Sequence, residues 1–427
     1  MADLPFPKGF RDMMPNEALF RSKMLRKIED IFQLYGFVSI YTPKLESMQL
    51  LRAKESIGEE NKLIFELKNE GLGLRYDQTV SLARYFIMHS NLPLPFKRYS
   101  IGEAWRMDEP QRLRYREFTQ ADIDIIGGDA VKANAEIIAT ASKVYEAFGV
   151  DYKISINDRK MLDEFFSTLG ISKEKQVKVM RAIDKMDKLG TAGVKGLLKE
   201  IELKEEQTNK IMDLISHEGT NSEKLSYIKS LIGDESALEL ENTLSLLESY
   251  NIKSAPAIDF STVRGIDYYT SVVFEFKTNG ENASLGGGGR YDNLISNYGG
   301  KQIGAVGFAV GVDRLLDILK FQESKEVTPA MVFVSNIKKE NYNYALKVSN
   351  MLRESGIKVD LNDSDRNVAN QLSYANALMF KYVVFVGPTE EQSMTAKVRD
   401  MNTGAETTIE LSKLKDFFTF SDKAIER

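Results

Sequence analysis

Apolar positions along the first 130 residues predict a helix followed by strands. Apolar residues spaced three and four apart favour an amphipathic helix over residues 16–35, which Gly36 ends. The segments after it are predicted as a strand at 37–41, a hairpin of 63–67 and 73–76, and a helix at 79–89.

Two longer strand-like runs, 96–105 and 115–126, flank a charged loop at residues 107–114 that Pro110 interrupts. The runs are expected to pair antiparallel. A loop of that length and charge is more typical of ligand contact than of a simple connection.

The pattern changes twice further along the chain. Residues 158–253 are rich in Lys, Glu and Leu at helical spacing, which predicts a helical insertion. Strand patterns return at 257, 260–265 and 268–277, and an apolar strand at 304–310 leads into a helix at 312–321. After Pro329, alternating strands and helices predict an α/β domain with a partly parallel sheet. The expected domains are 1–157 and 254–325, which form two parts of one domain, 158–253, and 329–427.

Composition limits the available chemistry. The 427 residues are 43% hydrophobic and 28% charged, with a net charge of −5 and no cysteine. Disulfides, cysteine-ligated zinc and a thiol nucleophile are therefore excluded. Two histidines, His89 and His217, are too few for a histidine metal cluster or a conventional Ser-His-Asp triad. Any catalysis would rest on Arg, Asp, Glu, Tyr and the backbone.

Targeting signals are not evident in the sequence. The first eleven residues lack a basic stretch followed by an apolar run, and no apolar stretch approaches the roughly 20 residues that span a bilayer. We expect a cytoplasmic protein without membrane association.

Arginine density marks the first candidate site. Arg106, Arg112, Arg114 and Arg116 lie in or beside the charged loop. Guanidinium groups match phosphate oxygens bidentately, although a solvated charged hairpin would look the same. A second candidate is Arg314 in the first turn of a helix after the strand GFAVG, which is a fitting anion site or simply a surface arginine.

Two further segments carry unusual residues. In RGIDYYT, at 264–270, adjacent tyrosines in a strand would point to opposite faces, so one could line a pocket while the other packs. The four glycines of SLGGGGRYD, at 284–292, would let the backbone approach a ligand closely, or form a flexible hairpin tip. The stretch lacks the Lys-Ser/Thr of a nucleotide-triphosphatase loop and does not match the dinucleotide fingerprint.

These segments together resemble one family. The regions of Pro43, Arg106 and Arg314 resemble motifs 1, 2 and 3 of class II aminoacyl-tRNA synthetases, and RGIDYYT and GGGGRYD are similar to the signatures of the histidyl members. PKGFRDMMP near the start and VGPTEE in the tail resemble the same family, and the likeness is weakest at 158–253. It implies a class II catalytic domain of mixed α/β (α+β) type, with an antiparallel sheet flanked by helices, a helical insertion and a C-terminal α/β anticodon-binding domain.

The resemblance implies a histidine–tRNA ligase, which forms histidyl-adenylate from histidine and ATP, releases pyrophosphate and transfers histidine to the 3′ end of tRNA(His). It assigns catalysis to Arg106 and Arg264, and ATP binding to Arg106, Asp108, Arg114 and Arg314. Mg²⁺ would accompany the phosphates, without a metal site built by the protein. Motif 1, the helix at 16–35 with the strand to Pro43, implies a homodimer.

Substrate recognition is implied in the same way. Asp77, Thr79 and Gln120 would hold the α-ammonium of histidine, Asp124 and Tyr269 would grip the imidazole, and Arg264, Tyr268 and Tyr291 would complete the pocket. Gln111 and Arg112 would contact tRNA. Asp stands at 77, 124 and 313 where many relatives have Glu, which moves each carboxylate by about one methylene.

Three alternatives share part of this pattern. A regulatory subunit of ATP phosphoribosyltransferase lacks the anticodon domain and has usually lost several motif residues, whereas Arg106, Arg264 and Arg314 are present here. A sensor of uncharged tRNA would need a fused effector domain, which is not visible. Prolyl and threonyl synthetases share motifs 1–3 but do not explain RGIDYYT.

Overall fold

A computed structural model describes residues 6–52, 63–264, 268–279, 284–319, 327–364 and 366–423. The chain divides into two compact units, one of residues 1–11 and 25–320 and one of residues 12–24 and 321–427. The signature residues 265–267 lie outside the described residues.

Helices and strands alternate irregularly in the larger unit. In chain order they are α1 (Pro15–Leu34, whose residues up to 24 belong to the smaller unit), β1 (Val38–Ser39), β2 (Leu45–Ser47), α2 (Met48–Arg52), β3 (Leu72–Leu74), α3 (Thr79–Met88), β4 (Phe96–Trp105), β5 (Glu117–Ile126), α4 (Ala130–Ala147), β6 (Tyr152–Asp158), α5 (Arg159–Thr168), α6 (Lys173–Ile183), α7 (Met186–Glu200), α8 (Glu205–Ile215), α9 (Asn221–Ile232), α10 (Leu238–Glu248), β7 (Ala257–Ile258), β8 (Val272–Thr278), β9 (Ser284–Arg290), α11 (Leu294–Asn297), β10 (Ala305–Gly311) and α12 (Val312–Ile318).

A mixed sheet of eight described strands organises the larger unit, in the order β1-β4-β5-β10-β9-β8-β6-β7. The inner pairs are antiparallel, and the edge pairs β1–β4 and β6–β7 are parallel. The predicted pairing of 96–105 with the following strand is confirmed, with Phe96 opposite Ile126 and Trp105 opposite Glu117. Helix α4 covers this sheet with a buried, alanine-rich face.

The glycine-rich segment is a strand in the middle of the sheet, which excludes the alternative of a flexible hairpin tip. Strand β9 pairs with β8 on one side and β10 on the other, and its glycines are buried. A side chain at Gly286 would meet the carbonyl oxygen of Ala309, and one at Gly288 would meet that of Gly307. The glycines are needed for close backbone packing rather than for flexibility.

The strand expected at 260–265 is wrong, and two other strand expectations differ from the structure in their extent. The described residues 260–264 form a turn instead of a strand, because the Asp259 carboxylate accepts hydrogen bonds from the backbone and hydroxyl of Ser261. The next strand starts at Val272 rather than 268. The expected hairpin forms over a shorter length: Glu66 bridges Gly73, and the backbone N–H groups of Leu67 and Leu74 donate to the carbonyl oxygens of Leu72 and Phe65. On its other edge, β3 pairs antiparallel with β2.

Residues 159–248 fold into α5 to α10, as the helical spacing predicted. Their apolar sides bury residues such as Val179, Ile183 and Ile211. Gly190 (φ +62°) interrupts α7 with a kink.

Strands and helices alternate in the C-terminal part of the smaller unit. They are β11 (Val332–Asn336), α13 (Tyr342–Glu354), β12 (Val359–Leu361), α14 (Val368–Ala377), β13 (Tyr382–Val386), α15 (Pro388–Ser393), β14 (Thr395–Asp400), β15 (Glu406–Glu410) and α16 (Leu411–Lys423). The sheet order is β12-β11-β13-β14-β15, parallel among the first three and antiparallel beyond β13. The partly parallel α/β sheet expected for the tail is confirmed. Within the described chain, no helix is long and apolar enough to cross a bilayer.

Candidate active site

A polar cavity of about 550 Å³ lies on one face of the large sheet. Every residue expected to bind ATP or histidine lines it: Asp77, Thr79, Arg106, Asp108, Arg114, Gln120, Asp124, Arg264, Tyr268, Tyr269, Tyr291 and Arg314. The two residues expected to contact tRNA, Gln111 and Arg112, lie outside this lining and are exposed. Five different parts of the sequence therefore converge on one site.

One part of the cavity lining is cationic. Burial lowers the pKa of Arg314, and the nearby charges of Arg264, Arg106 and Arg114 lower it further. Arg114 and Arg264 have carboxylate partners in Asp108 and Glu275, whereas Arg314 donates to the carbonyl oxygens of Leu113 and Ser284. The arrangement therefore suits a polyanion such as a nucleotide triphosphate.

The charged loop holds two of these arginines in place. Arg114 forms a bidentate ion pair with Asp108, with nitrogen–oxygen distances of 2.9 and 2.8 Å. Arg106 donates from Nε to the carbonyl oxygen of Tyr76 at 3.0 Å and lies over the ring of Phe118. These contacts fix the orientation of the Arg106 and Arg114 guanidinium groups at the cavity, which a solvated hairpin would not do.

Arg264 is held in an unusual backbone conformation. Its φ is +54°, in the left-handed region that residues other than glycine seldom adopt, and Nη1 donates to Glu275 at 2.8 Å. Burial opposes its charge, but the carboxylates of Glu275 and Asp184 raise the pKa of Arg264, so the guanidinium stays charged. A side chain at Gly287 would occupy the position of this guanidinium. The absence of a side chain at Gly287 of strand β9 therefore leaves the space that the Arg264 guanidinium occupies.

The N-terminal segment supports the helix that carries Arg314. Arg11 donates to Asp313 at 3.0 Å and to Asp317 at 3.4 Å, and it lies over the ring of Tyr115 at 4.3 Å. Asp313 also accepts the backbone N–H of Thr119 at 2.5 Å. The carboxylate at 313 thus ties strand β5 to the start of α12.

A second part of the cavity lining is rich in buried carboxyl groups. Gln120, Asp122 and Asp124 alternate along β5 and so share the face that borders the cavity. Burial raises the pKa of Asp77, although the backbone N–H groups of Val80 and Thr79 and the charge of Arg106 oppose the rise. Burial also raises the pKa of Asp124, against the charge of Arg98. A concentration of buried carboxyl groups suits a cationic ligand group.

Asp124 is only 2% exposed, so its carboxylate is buried in the cavity wall rather than lying on the surface. Its Oδ2 lies 2.5 Å from Nη2 of the buried Arg98, and its Oδ1 accepts a hydrogen bond from the Tyr291 hydroxyl. A side chain at Gly307 would overlap this carboxylate. The sheet is therefore shaped around Asp124.

The tyrosine pair differs from the expectation. Tyr268 and Tyr269 both line the cavity, because residues 268–270 precede strand β8 and do not alternate between two faces. Their ring centroids are 5.0 Å apart, and Tyr268 also lies 5.8 Å from the ring of Tyr291. The prediction that one tyrosine packs away from the site is wrong.

Comparison with known proteins decides the family. A sequence model described as histidyl-tRNA synthetase matches residues 9–315, and a model described as anticodon binding domain matches residues 331–420. The chain belongs to the histidyl-tRNA synthetase family. It is 39% identical to the histidine–tRNA ligase of Korarchaeum cryptofilum over 97% of this chain and 99% of that protein. It is 38% identical to that of Pyrococcus horikoshii over 96% and 97%.

Solved structures agree with the histidyl-tRNA synthetase family. The crystal structure of histidyl-tRNA synthetase from Nostoc matches with a TM-score of 0.85 and 29% identity, covering 99% of this chain and 100% of that one. A Bacillus halodurans protein, described as an ATP phosphoribosyltransferase regulatory subunit/histidyl-tRNA synthetase, matches with a TM-score of 0.75 and 22% identity, over 90% and 98%. The second likeness shows the fold alone. The resemblance drawn from the sequence motifs, and the class II fold that it implied, are confirmed.

Some residues of this synthetase cavity were not predicted. Asp122, Asp184 and Glu275 line it alongside the expected set. Asp122 had a signal in the sequence, because it stands two residues from both Gln120 and Asp124 on one strand. Asp184 comes from the helical insertion, and its place at the cavity depends on tertiary packing that no local pattern indicates.

Proposed function

We propose that the polar cavity is the active site at which this histidine–tRNA ligase activates histidine with ATP. The observation that carries the proposal is that one cavity holds both a group of four arginines and a group of three buried carboxyl groups, Asp77, Asp122 and Asp124. ATP is a polyanion, and the α-ammonium of histidine is a cation. A cavity with both groups suits the two substrates of the adenylation step.

Positioning and charge neutralisation account for the first chemical step. The histidine carboxylate attacks the α-phosphorus of ATP, a new phosphorus–oxygen bond forms, and the bond to pyrophosphate breaks. Arg106 and Arg264 neutralise negative charge that develops around the α-phosphorus, while Arg314 and Arg114 hold the leaving phosphates. Asp108 keeps Arg114 aimed through their bidentate pair.

Magnesium belongs to the proposal as the ion that ATP carries into the site. The Asp184 and Asp187 carboxylates line the cavity, and oxygen donors are the ligands that Mg²⁺ prefers. When bound, the ion would offset phosphate charge. Within the described residues, no group of three or more His, Cys, Asp or Glu side chains is arranged to hold a metal by itself.

Histidine occupies the part of the cavity with the buried carboxyl groups in the same proposal. Asp77, Thr79 and Gln120 receive the α-ammonium, and Asp124 with Tyr269 reads the ring nitrogens. Tyr268 and Tyr291 line the ring pocket. Buried polar groups reject an analogue that leaves them without partners, so this part provides the selection for histidine.

Transfer to tRNA(His) uses parts of the chain outside the cavity. Residues 329–427 would bind the anticodon, residues 158–253 would lie along the acceptor arm, and residues 1–157 with 254–325 would form the catalytic domain. Gln111 and Arg112 would contact the tRNA end, which their exposure permits. A cytoplasmic location is part of the same proposal, because ribosomes use charged tRNA there.

Two arginine variants separate the ATP site from the tRNA site. Arg314→Ala should raise the Michaelis constant for ATP in pyrophosphate exchange by about tenfold or more, because a buried charge-assisted contact is lost. Arg112→Ala is the matched control, and it should leave exchange within about twofold while slowing tRNA charging. If Arg112→Ala lowers exchange as much as Arg314→Ala does, the division of roles is wrong.

A homodimer completes the proposal. The apolar side of α1 is buried within the chain at Ile28 and Phe32, so that side does not supply the interface. Apolar residues nearby are nevertheless exposed, with Leu34 at 81% and Tyr41 at 79%. An exposed apolar patch next to the edge strand β1 suits a partner subunit.

Light scattering tests this interface. A dimer should give about twice the 48.3 kDa of one chain at micromolar concentration, with roughly 2,000 Å² or more buried. Leu34→Glu should shift the protein towards the single-chain mass. Leu238→Glu, at an exposed apolar position of the helical insertion, should not. A 48.3 kDa species alone in the unaltered protein would rule the dimer out.

A further inference from the structure

Asp122 is the third of the buried carboxyl groups in the cavity, and the proposed function gives it no role of its own. It is 3% exposed and lines the cavity between Gln120 and Asp124 on β5. Its Oδ1 is buried, and no residue in the described part of the chain donates a hydrogen bond to it. A buried carboxyl oxygen without a partner is costly, and here it borders the space for a ligand.

Charged and titratable groups surround Asp122 from several elements. They are Arg98 on β4, Asp124 on β5, Asp77 and Arg75 between β3 and α3, and Tyr269 before β8. Arg98 already forms its close ion pair with Asp124. Arg75 is committed to Thr42 and to the carbonyl oxygen of Glu103. Neither arginine is therefore paired with the Asp122 carboxyl group.

We propose that Asp122 is a histidine-binding residue that holds a proton in the empty pocket and releases it when the substrate's α-ammonium arrives. The inference rests on the proposed function, in which histidine occupies this part of the cavity. Asp77 and Asp122 then flank the ammonium, and the ligand supplies a cation to Asp122. The proton leaves to solvent and Asp122 becomes a carboxylate.

The titration of Asp122 agrees with this role. Burial raises the pKa of Asp122 to about 8, and the charges of Asp124 and Asp77 add to the rise while Arg98 and Arg75 oppose it. Most of the empty protein is therefore protonated at Asp122 at pH 7. A cation bound beside the group lowers that pKa, so histidine affinity should rise with pH until the group is already ionised.

Calorimetric titration of the full-length protein with histidine at pH 7.5 tests the proposal. Comparing two buffers with different ionisation enthalpies gives the number of protons released, which we expect to be more than about half a proton per histidine. Histidine affinity should also tighten from pH 7 to pH 8.5. Asp122→Asn should remove most of the proton release and of the pH dependence, and weaken binding at pH 8.5 by about tenfold.

Two controls make each outcome decisive. Asp158 is also buried, with a pKa raised to about 7, but it lies outside the cavity, so Asp158→Asn should keep the normal proton release. Binding of histidine without proton release by the unaltered protein, or unchanged release in Asp122→Asn, would overturn the inference alone. Failure of Asp77→Asn to weaken histidine binding would instead contradict the proposed function.

Discussion

Replacing Arg264 by alanine should lower the rate constant of histidyl-adenylate formation by about a hundredfold or more, while the Michaelis constant for ATP changes only a few-fold. Loss of a group aimed at charge that develops in the transition state costs roughly 3 kcal/mol, as for an oxyanion donor. Arg264 is such a group, because its guanidinium packs against Gly287 of strand β9 and its hydrogen bond to Glu275 fixes its orientation. Single-turnover adenylate formation measures the effect.

Arg264→Lys is the matched variant. It keeps the positive charge at the same left-handed backbone position but loses the planar guanidinium, which can donate two parallel hydrogen bonds. We expect it to remain well below the unaltered enzyme. Glu275 keeps Lys277 as a partner at 3.4 Å in both variants, so the carboxylate is not left alone. A change confined to the Michaelis constants would make Arg264 a ground-state binder and contradict its catalytic role.

Asp124→Asn should reduce histidine-dependent pyrophosphate exchange by about ten- to a hundredfold in kcat/KM. An amide of the same size cannot match the carboxylate as an acceptor for a ring N–H, and an unsatisfied group in a desolvated pocket costs roughly 1–3 kcal/mol. The histidine ring carries two nitrogens, each able to donate or accept, so one faulty partner weakens selection. Exchange at matched ATP concentrations measures the effect.

Stability has to be separated from recognition in this variant, because Asp124 also neutralises the buried Arg98. Removing one member of a buried ion pair is strongly destabilising by itself. The double variant Asp124→Asn with Arg98→Gln restores the charge balance, and thermal melting shows whether the fold recovers. We expect histidine activation to stay low in the double variant. Recovery to within twofold of the unaltered enzyme would remove the imidazole-reading role.

Long elements with a clear period could be predicted from the sequence. Strand β4 was expected over its full length because 96–105 is a long strand-like run that the charged loop ends, and β13 because it is a short apolar run that Gly387-Pro388 ends. The site was predictable for a different reason. Its arginines and tyrosines belong to family signatures, whose residues come from segments that no local pattern joins.

The glycine strand shows where local reasoning fails. Hydrophobic periodicity cannot identify a strand made mostly of glycine, because glycine has no side chain. Four consecutive glycines therefore suggest a loop when only the sequence is considered. The close packing of β9 between β8 and β10 depends on tertiary structure that the local sequence does not show. The same is true of the position of Asp184, from the helical insertion, at the cavity. The length of the strand after Gly36 was overestimated, because only Val38 and Ser39 pair with β4, and both side chains are exposed.

The most direct test of the central claim is ATP–pyrophosphate exchange run separately with each of the twenty amino acids. A cavity whose arginines bind ATP and whose buried carboxyl groups bind histidine should give strong exchange with histidine and close to background exchange with the other nineteen. The signal with histidine should fall in both Arg264→Ala and Asp124→Asn. Exchange driven equally well by another amino acid, or no exchange with histidine, would contradict the account.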